Sequence, residues 1–212
     1  MALGAFIRGL FGRHEHRVAE AYRRMFIDLD DLVSEIRLLR PDAGRILEVG
    51  CGEGAMTERL VTAFPRAELL AIDITPRLGR LYRGDPARAT SRQVTVQGVA
   101  AERPGTFDLV LLCDVLHHVP PAARPDLLAA AKASLAPDGV FILKEWAPTR
   151  SLVHWMCATS DRVLTGDDVA YLRPEEAEDL LAPAFGRGAL RPGRRTIAPR
   201  RNNYLFASSP AA

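Results

Sequence analysis

The stretch ILEVGCGEGA, Ile46 to Ala55, carries the strongest structural signal in this chain. It begins as an apolar run typical of a buried strand and passes directly into glycines at alternate positions, Gly50, Gly52 and Gly54. Glycine permits backbone conformations that other residues avoid and lets a ligand approach the main chain without a Cβ in the way. In an open parallel sheet, such a turn lies at the carboxyl ends of the strands, where ligands bind. The stretch therefore predicts a strand, a ligand-binding turn and a helix.

The chain around this stretch alternates short apolar runs with amphipathic helical segments, which is typical of a parallel sheet covered by helices on both faces. The predicted strands are Arg45–Val49, Glu68–Ile72, Val94–Gln97, Leu109–Cys113 and Val140–Lys144, followed by a terminal antiparallel hairpin of about Ala189–Ile197 and Asn203–Ser208. The predicted helices are about His14–Leu39, Ala55–Ala63, Pro76–Arg83, Arg124–Leu135 and Pro174–Leu181, and Pro137-Asp138-Gly139 is predicted as a turn. We therefore expect an α/β fold with a mostly parallel sheet.

Length and composition narrow the class of protein. With 212 residues, 48% hydrophobic and 25% charged, the chain is long enough for one well-packed domain. It has no long apolar run and no signal-like N-terminus, so we expect a soluble cytoplasmic protein without membrane contact. Cys51, Cys113 and Cys157 are odd in number and widely spaced, which fits neither a disulfide framework nor a metal site.

The charge distribution argues against a protein that binds nucleic acid through bulk electrostatics, because the net charge is only +2. Six arginines and no acidic residue follow Gly186. This segment is interpreted as a solvated hairpin face in preference to an RNA-binding surface. No nucleic acid partner is expected.

Two acidic residues accompany the glycines. Gly50, Gly52 and Ala55 also satisfy the fingerprint of nicotinamide-dependent enzymes, but a carboxylate at Glu48, at the end of an apolar strand, would repel a pyrophosphate. An amino-acid ammonium group would neutralise the charge of the Glu48 carboxylate. The alternative is that backbone amides of the loop hold this carboxylate by hydrogen bonds.

Asp73 ends the apolar run LLAID, 19 residues beyond Gly54, which suits a carboxylate that binds ribose hydroxyls. The alternative is a helix cap near Pro76. Ile74 follows Asp73 and is expected to lie against an adenine.

Four motifs, in this order and with this spacing, resemble those of the class I S-adenosylmethionine-dependent methyltransferases, particularly the small-molecule branch. They are ILEVGCGEG (Ile46–Gly54), LLAIDI (Leu69–Ile74), FDLVLLCDVLHHV (Phe107–Val119) and LLAAAKASLAPDGVFILKEW (Leu127–Trp146). The resemblance covers about Arg45 to Ser208 and implies a Rossmann-like sheet of seven strands, the last antiparallel. It also implies S-adenosylmethionine as cofactor and a small-molecule acceptor, with bacterial secondary metabolism as the expected setting.

The same resemblance implies roles for individual cofactor-site residues. It places Glu48 and the Gly50–Gly54 loop, which includes Cys51, around the methionine part of the cofactor, and Asp73 on the ribose. Val99 and Ala100 would line the adenine, and Cys113 would face the cofactor through its backbone. The list of predicted cofactor residues is Glu48, Gly50, Cys51, Gly52, Gly54, Asp73, Ile74, Val99, Ala100 and Cys113.

Candidate catalytic residues follow the fourth and fifth strands. A sulfonium already carries a good leaving group, so the protein must mainly align the reactants, and a base helps where the acceptor holds a proton. His117 and His118 lie just beyond the fourth strand, and either is a candidate base; the alternative is that both are structural. Glu145 would hold the acceptor or polarise a histidine, unless it forms a salt bridge with an arginine. No metal is expected.

Acceptor recognition is predicted for two segments outside the cofactor motifs. One is an N-terminal helical cap, residues 1–40, with Tyr22 and Phe26; the other is an insertion at about 148–173 of the methyltransferase domain, residues 41–212. The insertion contains His154, Trp155 and Tyr171. The alternative for these aromatic residues is the core. Competing functions are an NAD(P)-dependent oxidoreductase, an RNA methyltransferase and a non-catalytic binding module.

Overall fold

A computed structural model describes residues 24, 26–76, 78–80, 82–149, 169–189, 195–199 and 202–208. The strands are β1 (Arg45–Val49), β2 (Glu68–Asp73), β3 (Ala89–Gln93), β4 (Phe107–Cys113), β5 (Leu135–Trp146), β6 (Arg195–Ile197) and β7 (Asn203–Ser208). The helices are α1 (Leu29–Leu39), α2 (Ala55–Ala63), α3 (Val96–Glu102), α4 (Arg124–Ser134) and α5 (Pro174–Phe185). Short 3₁₀ turns cover Leu116–His118, Pro121–Ala123 and Arg187–Ala189. In these described ranges, no helix combines the length and hydropathy needed to cross a membrane.

The seven strands form one sheet in the order β3-β2-β1-β4-β5-β7-β6. β1 to β5 are parallel, whereas β7 runs antiparallel to both β5 and β6. This confirms the predicted Rossmann-like, mostly parallel sheet with an antiparallel C-terminal hairpin. β1 lies between β2 and β4, so the order of strands reverses at its carboxyl end, which is the position where open α/β sheets bind ligands.

Alternating residues of the central strands bury their side chains in two cores, one on each face of the sheet, because helices cover both faces. The first core lies under α1 and α2 and includes Leu32, Ile36, Ile46, Leu60, Leu109, Leu111, Val140, Ile142 and Leu205. The second core lies under α3, α4 and α5 and includes Leu47, Val49, Leu70, Val99, Val110, Leu112, Leu128, Phe141, Leu143, Leu181 and Phe185. Consecutive residues at a strand end therefore point to opposite faces of the sheet.

The N-terminal helix differs from its prediction. Asp28 has an extended backbone, and its side chain accepts hydrogen bonds from the amides of Asp30 and Asp31, which starts α1 at Leu29. One continuous helix from His14 to Leu39 is therefore wrong at 26–28, while residues 14–23 lie outside the described residues. The division into a cap at 1–40 and a domain at 41–212 stays a prediction; α1 packs in the first core.

The third strand lies five residues earlier than predicted. β3 is an edge strand with mostly exposed or half-exposed polar residues, so it lacks the apolar run that marks a strand buried on both faces. The predicted strand Val94–Gln97 instead begins a helix, because the Thr95 hydroxyl accepts a hydrogen bond from the Gly98 amide and caps α3. Val96 and Val99 then bury the same face of that helix.

Other element bounds also change. The predicted helix Pro76–Arg83 is wrong in its described part: residues 76 and 78–80 form turns, and Gly79 has φ +65°, outside the helical region. Pro137-Asp138-Gly139 lies within β5, beside a register shift between Phe107 and Leu109, and is not a separate turn. Of the predicted strand Ala189–Ile197, residue 189 ends a 3₁₀ turn, residues 190–194 lie outside the described residues, and β6 covers Arg195–Ile197. α5 continues beyond Leu181 to Phe185.

Candidate active site at the carboxyl edge of the sheet

The glycine-rich turn joins β1 to α2 and is anchored to the neighbouring strand. The amides of Gly50 and Cys51 both donate to the carbonyl of Ile72, at 2.8 and 3.0 Å. A Cβ on Gly50, which has φ +75°, would overlap the Val115 side chain. Gly52 has φ +50°, and a Cβ there would meet nothing within 4 Å, so the turn faces open space. This is the cradle that a ligand approaching the main chain requires.

Glu48 is a buried carboxylate beside this turn. Its side chain lies on the first-core face of the sheet, is only 2% exposed, and accepts a 2.6 Å hydrogen bond from the Thr57 hydroxyl of α2. Burial raises the pKa of Glu48 to about 8; the Thr57 bond opposes this shift, and the neighbouring Asp73 adds to it. Sequence reasoning missed Thr57, since a hydroxyl in the first turn of α2 is not distinctive.

Asp73, at the end of β2, holds the other side of the turn. Its Oδ2 accepts from the Gly52 amide at 2.8 Å, and its Oδ1 accepts from the Thr75 amide at 2.9 Å. The contact with Thr75 is a turn within the loop, because a helix does not begin at Pro76 as the alternative interpretation required. Each carboxylate oxygen can accept a second hydrogen bond. The structure thus brings Glu48 and Asp73 to one edge of the sheet, on either side of the glycine turn.

The adenine side differs from its prediction. Ile74 is 72% exposed at the end of β2, and the Gln93 side-chain amide donates to its carbonyl at 3.0 Å. Val99 is fully buried in the second core, and its amide donates within α3, so its contact with the adenine stays a prediction. Ala100 packs against the same core. Because β3 ends at Gln93, the residues at this edge are Gln93 and Val94, which sequence reasoning missed.

A strained turn ends β4. Asp114 has φ +57°, an uncommon conformation that aspartate tolerates better than most residues. Both of its carboxylate oxygens accept from the Lys144 ammonium, at 2.7 and 2.6 Å, and its amide donates to the Lys144 carbonyl. Lys144 is fully buried. Burial disfavours its ammonium form, but Asp114 outweighs this effect and holds the pKa of Lys144 above its usual value.

Glu145, next to Lys144, holds the other side of the same turn. It points to the opposite face of the sheet and is fully buried. Its Oε1 accepts from the amides of Val115 and Leu116, at 3.0 and 2.7 Å, and its Oε2 lies 2.7 Å from Nδ1 of His117. The sequence leaves three roles open for Glu145: holding the acceptor, polarising a histidine and forming a salt bridge with an arginine. Its contact with His117 is compatible with the second of these roles.

The two histidines have different surroundings. His117 is 4% exposed and lies between two rings: Tyr171 stacks on it with centroids 4.9 Å apart, and the His118 centroid is at 4.2 Å. His118 is only half-buried. Because Glu145 fixes Nδ1 of His117, Nε2 is the nitrogen through which His117 would take a proton. The geometry therefore favours His117 over His118 as the candidate base.

Residues 169–172 dock onto the His117 turn. The Ala170 amide donates to the His117 carbonyl at 2.8 Å, and the buried Arg124 donates to the carbonyls of Ala170 and Val119. Tyr204 donates to the Leu172 carbonyl at 3.0 Å, and burial raises the pKa of its phenol. These bonds hold the Tyr171 ring against His117.

Of the other predicted acceptor residues, the structure describes Phe26. Phe26 is buried against Trp146, with ring centroids 5.7 Å apart, so it belongs to the core and not to an open acceptor surface. Tyr22, His154 and Trp155 lie outside the described residues.

The cysteines at this edge are poor nucleophiles. Burial raises the pKa of the Cys51 thiol to about 12 and that of Cys113 well above its usual value. This leaves the backbone role predicted for Cys113 as the compatible one. Cys157 lies outside the described residues.

Asp114, His117 and Glu145 offer potential ligand atoms within 4.8 Å of one another. However, Lys144 neutralises Asp114, while two amides and the imidazole engage Glu145. A cation would have to displace an ammonium that is already in place. The donor set therefore does not fit a metal centre.

Parts of this chain are similar in sequence to known methyltransferases. Residues 47–141 match the family model described as a methyltransferase domain. A ubiquinone biosynthesis O-methyltransferase of Xanthomonas campestris is 34% identical over 121 residues, which are 55% of this chain and 48% of that protein. The chain spans about half the length of the curated relatives it matches.

Two solved structures from Burkholderia thailandensis have similar folds. An O-methyltransferase family protein has a TM-score of 0.70 and 16% identity, over 97% of this chain and 60% of that one. A 1,6-didemethyltoxoflavin-N1-methyltransferase with bound 1,6-didemethyltoxoflavin and S-adenosylhomocysteine has a TM-score of 0.67 and 17% identity, over 99% and 89%. At these identities the likeness establishes the fold.

Proposed function

We propose that the chain is a class I S-adenosylmethionine-dependent methyltransferase that transfers the methyl group of that cofactor to a hydroxyl of a small-molecule acceptor. The observation that carries the proposal is the pair of carboxylates, Glu48 and Asp73, on either side of an open glycine turn at the carboxyl edge of the sheet. The curated O-methyltransferase relative supports a hydroxyl acceptor. A setting in bacterial secondary metabolism and a cytoplasmic location stay predictions.

The residues of this edge fit the cofactor. Buried Glu48 suits the ammonium of the methionine part, because a carboxylate in a dry site gains most from an opposite charge. Asp73 has lone pairs for the ribose hydroxyls, and exposed Ile74 offers an apolar surface to the adenine. The open space above Gly52 admits the ligand backbone. A nicotinamide cofactor would bring its pyrophosphate against Glu48, which disfavours the oxidoreductase alternative.

The bound cofactor supplies an electrophilic methyl group on a sulfonium. The protein's own task is to align the acceptor oxygen, exclude water and remove a proton. His117 takes that proton at Nε2, because Glu145 at 2.7 Å holds Nδ1–H and stabilises the imidazolium that results. The Tyr171 ring keeps the imidazole in plane and shields it. A planar acceptor such as a phenol suits a surface built from these rings.

Titration calorimetry with S-adenosylhomocysteine and NAD tests the cofactor assignment. We expect micromolar affinity for S-adenosylhomocysteine and none for NAD; the reverse would establish the oxidoreductase alternative. Steeply salt-dependent RNA binding would revive the RNA methyltransferase alternative. Cofactor binding without methyl transfer to any hydroxyl compound would favour a non-catalytic module.

Asp73→Ala is expected to weaken S-adenosylhomocysteine binding by at least about tenfold, because two charge-assisted bonds to the ribose are lost. The matched control is Asp85→Ala. Asp85 makes the same turn bond as Asp73, from its Oδ1 to the amide two residues on, but lies away from the glycine turn. Calorimetry should give a near-wild-type dissociation constant for the control. An unchanged constant in Asp73→Ala would remove Asp73 from the site.

A further inference from the structure

The ion pair between buried Lys144 and partly exposed Asp114 has no part in the mechanism described above, yet it lies directly beside the His117–Glu145 pair. Polar atoms of Asp114, His117 and Glu145 are all within 4.8 Å of one another. At that separation in a partly dry site, each unit charge acts strongly on its neighbours. Two carboxylates thus surround one imidazole, and a buried ammonium touches one of the two.

We propose that Lys144 is a positioning residue that neutralises Asp114, so that the charge of Asp114 adds little to that of Glu145 at His117 and the imidazole stays neutral enough to accept a proton. This inference rests on the proposed role of His117 as the base. An imidazole between two uncompensated carboxylates would hold its proton tightly and would be unable to take another.

Lys144 acts through geometry as well as charge. Its side chain and its carbonyl both hold Asp114 in the left-handed turn, while Glu145 holds the next two amides from the other face of the sheet. The Val115 side chain in this turn fills the space where Gly50 lacks a Cβ. Consecutive residues of β5 therefore fix one turn that contacts both the glycine loop and the histidine.

Charged and titratable groups reach His117 from several elements. Among the residues that the structure describes, they include Glu145 and Lys144 on β5, Asp114 after β4, His118 beside it, Tyr171 in the docked segment, Arg124 on α4 and Tyr204 on β7. Arg124 donates to two backbone carbonyls and keeps its positive charge, which acts on Glu145, whereas Tyr204 donates to a third carbonyl. Within the described ranges, Lys144 is the cation in direct contact with Asp114, and it is the group to change.

The test is an NMR titration of the His117 imidazole in the full-length protein, assigned by comparison with His117→Gln. Lys144→Met leaves Asp114 uncompensated and should raise the midpoint of the His117 titration by about one pH unit. Asp114→Asn keeps a side chain that tolerates the turn but leaves the ammonium unpaired, so the midpoint should fall. The double variant should return close to the wild type.

Shifts of opposite sign that cancel in the double variant are a result that a merely structural role would not produce. Midpoints that are unchanged in both single variants, with lower melting temperatures, would overturn the inference. If Lys144→Met fails to fold, Asp114→Asn and the double variant still show whether the midpoint of the His117 titration shifts in the expected direction. In a plot of kcat against pH, the rise on the acidic side should shift in the same direction as the midpoint of the His117 titration.

The experiment also separates this inference from the proposed function. The titration of the His117 imidazole is measured by NMR and does not depend on methyl transfer. Opposite shifts with an unimpaired His117→Gln enzyme would refute the catalytic role and retain the electrostatic one. An impaired His117→Gln enzyme with unmoved midpoints would refute the electrostatic role alone.

Discussion

Replacing His117 by glutamine is expected to lower kcat by about 100-fold at neutral pH, which is the usual contribution of a positioned general base. Glutamine fills a similar volume beside Glu145 and Tyr171 but cannot accept the acceptor's proton. The loss should shrink as the pH approaches the acceptor's own pKa, because the acceptor then ionises without help. Steady-state kinetics from pH 6 to 10, with the acceptor saturating, measure both effects.

The control for this variant is His118→Gln, since His118 is adjacent and half-buried. We expect a much smaller loss of kcat. Both variants should bind S-adenosylhomocysteine like the wild type, which shows that the fold and the cofactor site are intact. A His117→Gln enzyme with kcat within about threefold of the wild type at neutral pH would make the imidazole a structural group.

Glu48→Gln should have opposite effects on stability and on cofactor binding. Burial raises the pKa of Glu48 to about 8, against 4.5 for an ordinary glutamate in water, so the folded protein binds this proton more tightly than the unfolded chain. The stabilising contribution of the protonated form is complete below the unfolded pKa and is lost as the pH rises through the folded one. Above about pH 5 the unfolded chain, in which this carboxyl is ionised, is increasingly favoured, so the free energy of unfolding decreases as the pH rises.

Glutamine removes this penalty and keeps an acceptor for the Thr57 hydroxyl. The ligand-free variant should be more stable than the wild type by on the order of 2 kcal/mol at pH 7, or about 5 °C in Tm. The advantage should disappear near pH 4.5. Calorimetric or fluorescence melting across this pH range measures it, and a variant that is less stable at pH 7 would contradict a buried, strained carboxylate.

Cofactor affinity should change in the other direction. Glutamine cannot pair with an ammonium as a charge, so S-adenosylhomocysteine should bind at least about tenfold more weakly at pH 8. The difference should be smaller at pH 6, where the wild-type carboxyl is itself protonated before binding. Glu68→Gln is the matched control, because Glu68 begins β2 at the opposite edge of the sheet. Equal affinity of Glu48→Gln and wild type at pH 8 would exclude the ammonium contact.

Much of the fold could be predicted because the central strands are buried on both faces and are written as continuous apolar runs. β1, β2 and β4 agree with their predictions to within two residues for this reason. β3 was misplaced because an edge strand needs little apolar surface, and its polar residues carry no such signal. The segment after β2 was misjudged because Gly79 adopts a left-handed conformation that amphipathic spacing does not reveal.

The site was predictable in position and only partly in detail. Residues that follow parallel strands must meet at one edge, so Glu48, Asp73, His117 and Glu145 could be selected together. The choice between His117 and His118 depends on the pairing of β4 with β5, which sets Glu145 opposite one ring. Thr57, Lys144 and Asp114 were not singled out, because their contacts arise from tertiary packing between residues 9 and 30 positions apart.

A crystal structure of the protein grown with S-adenosylhomocysteine tests the central claim most directly. We expect density over the Gly50–Gly54 turn, with the amino group of the product bonded to Glu48 and both ribose hydroxyls bonded to Asp73. Density at another place, or a bound product with either carboxylate turned away from it, would contradict this assignment of the cofactor site.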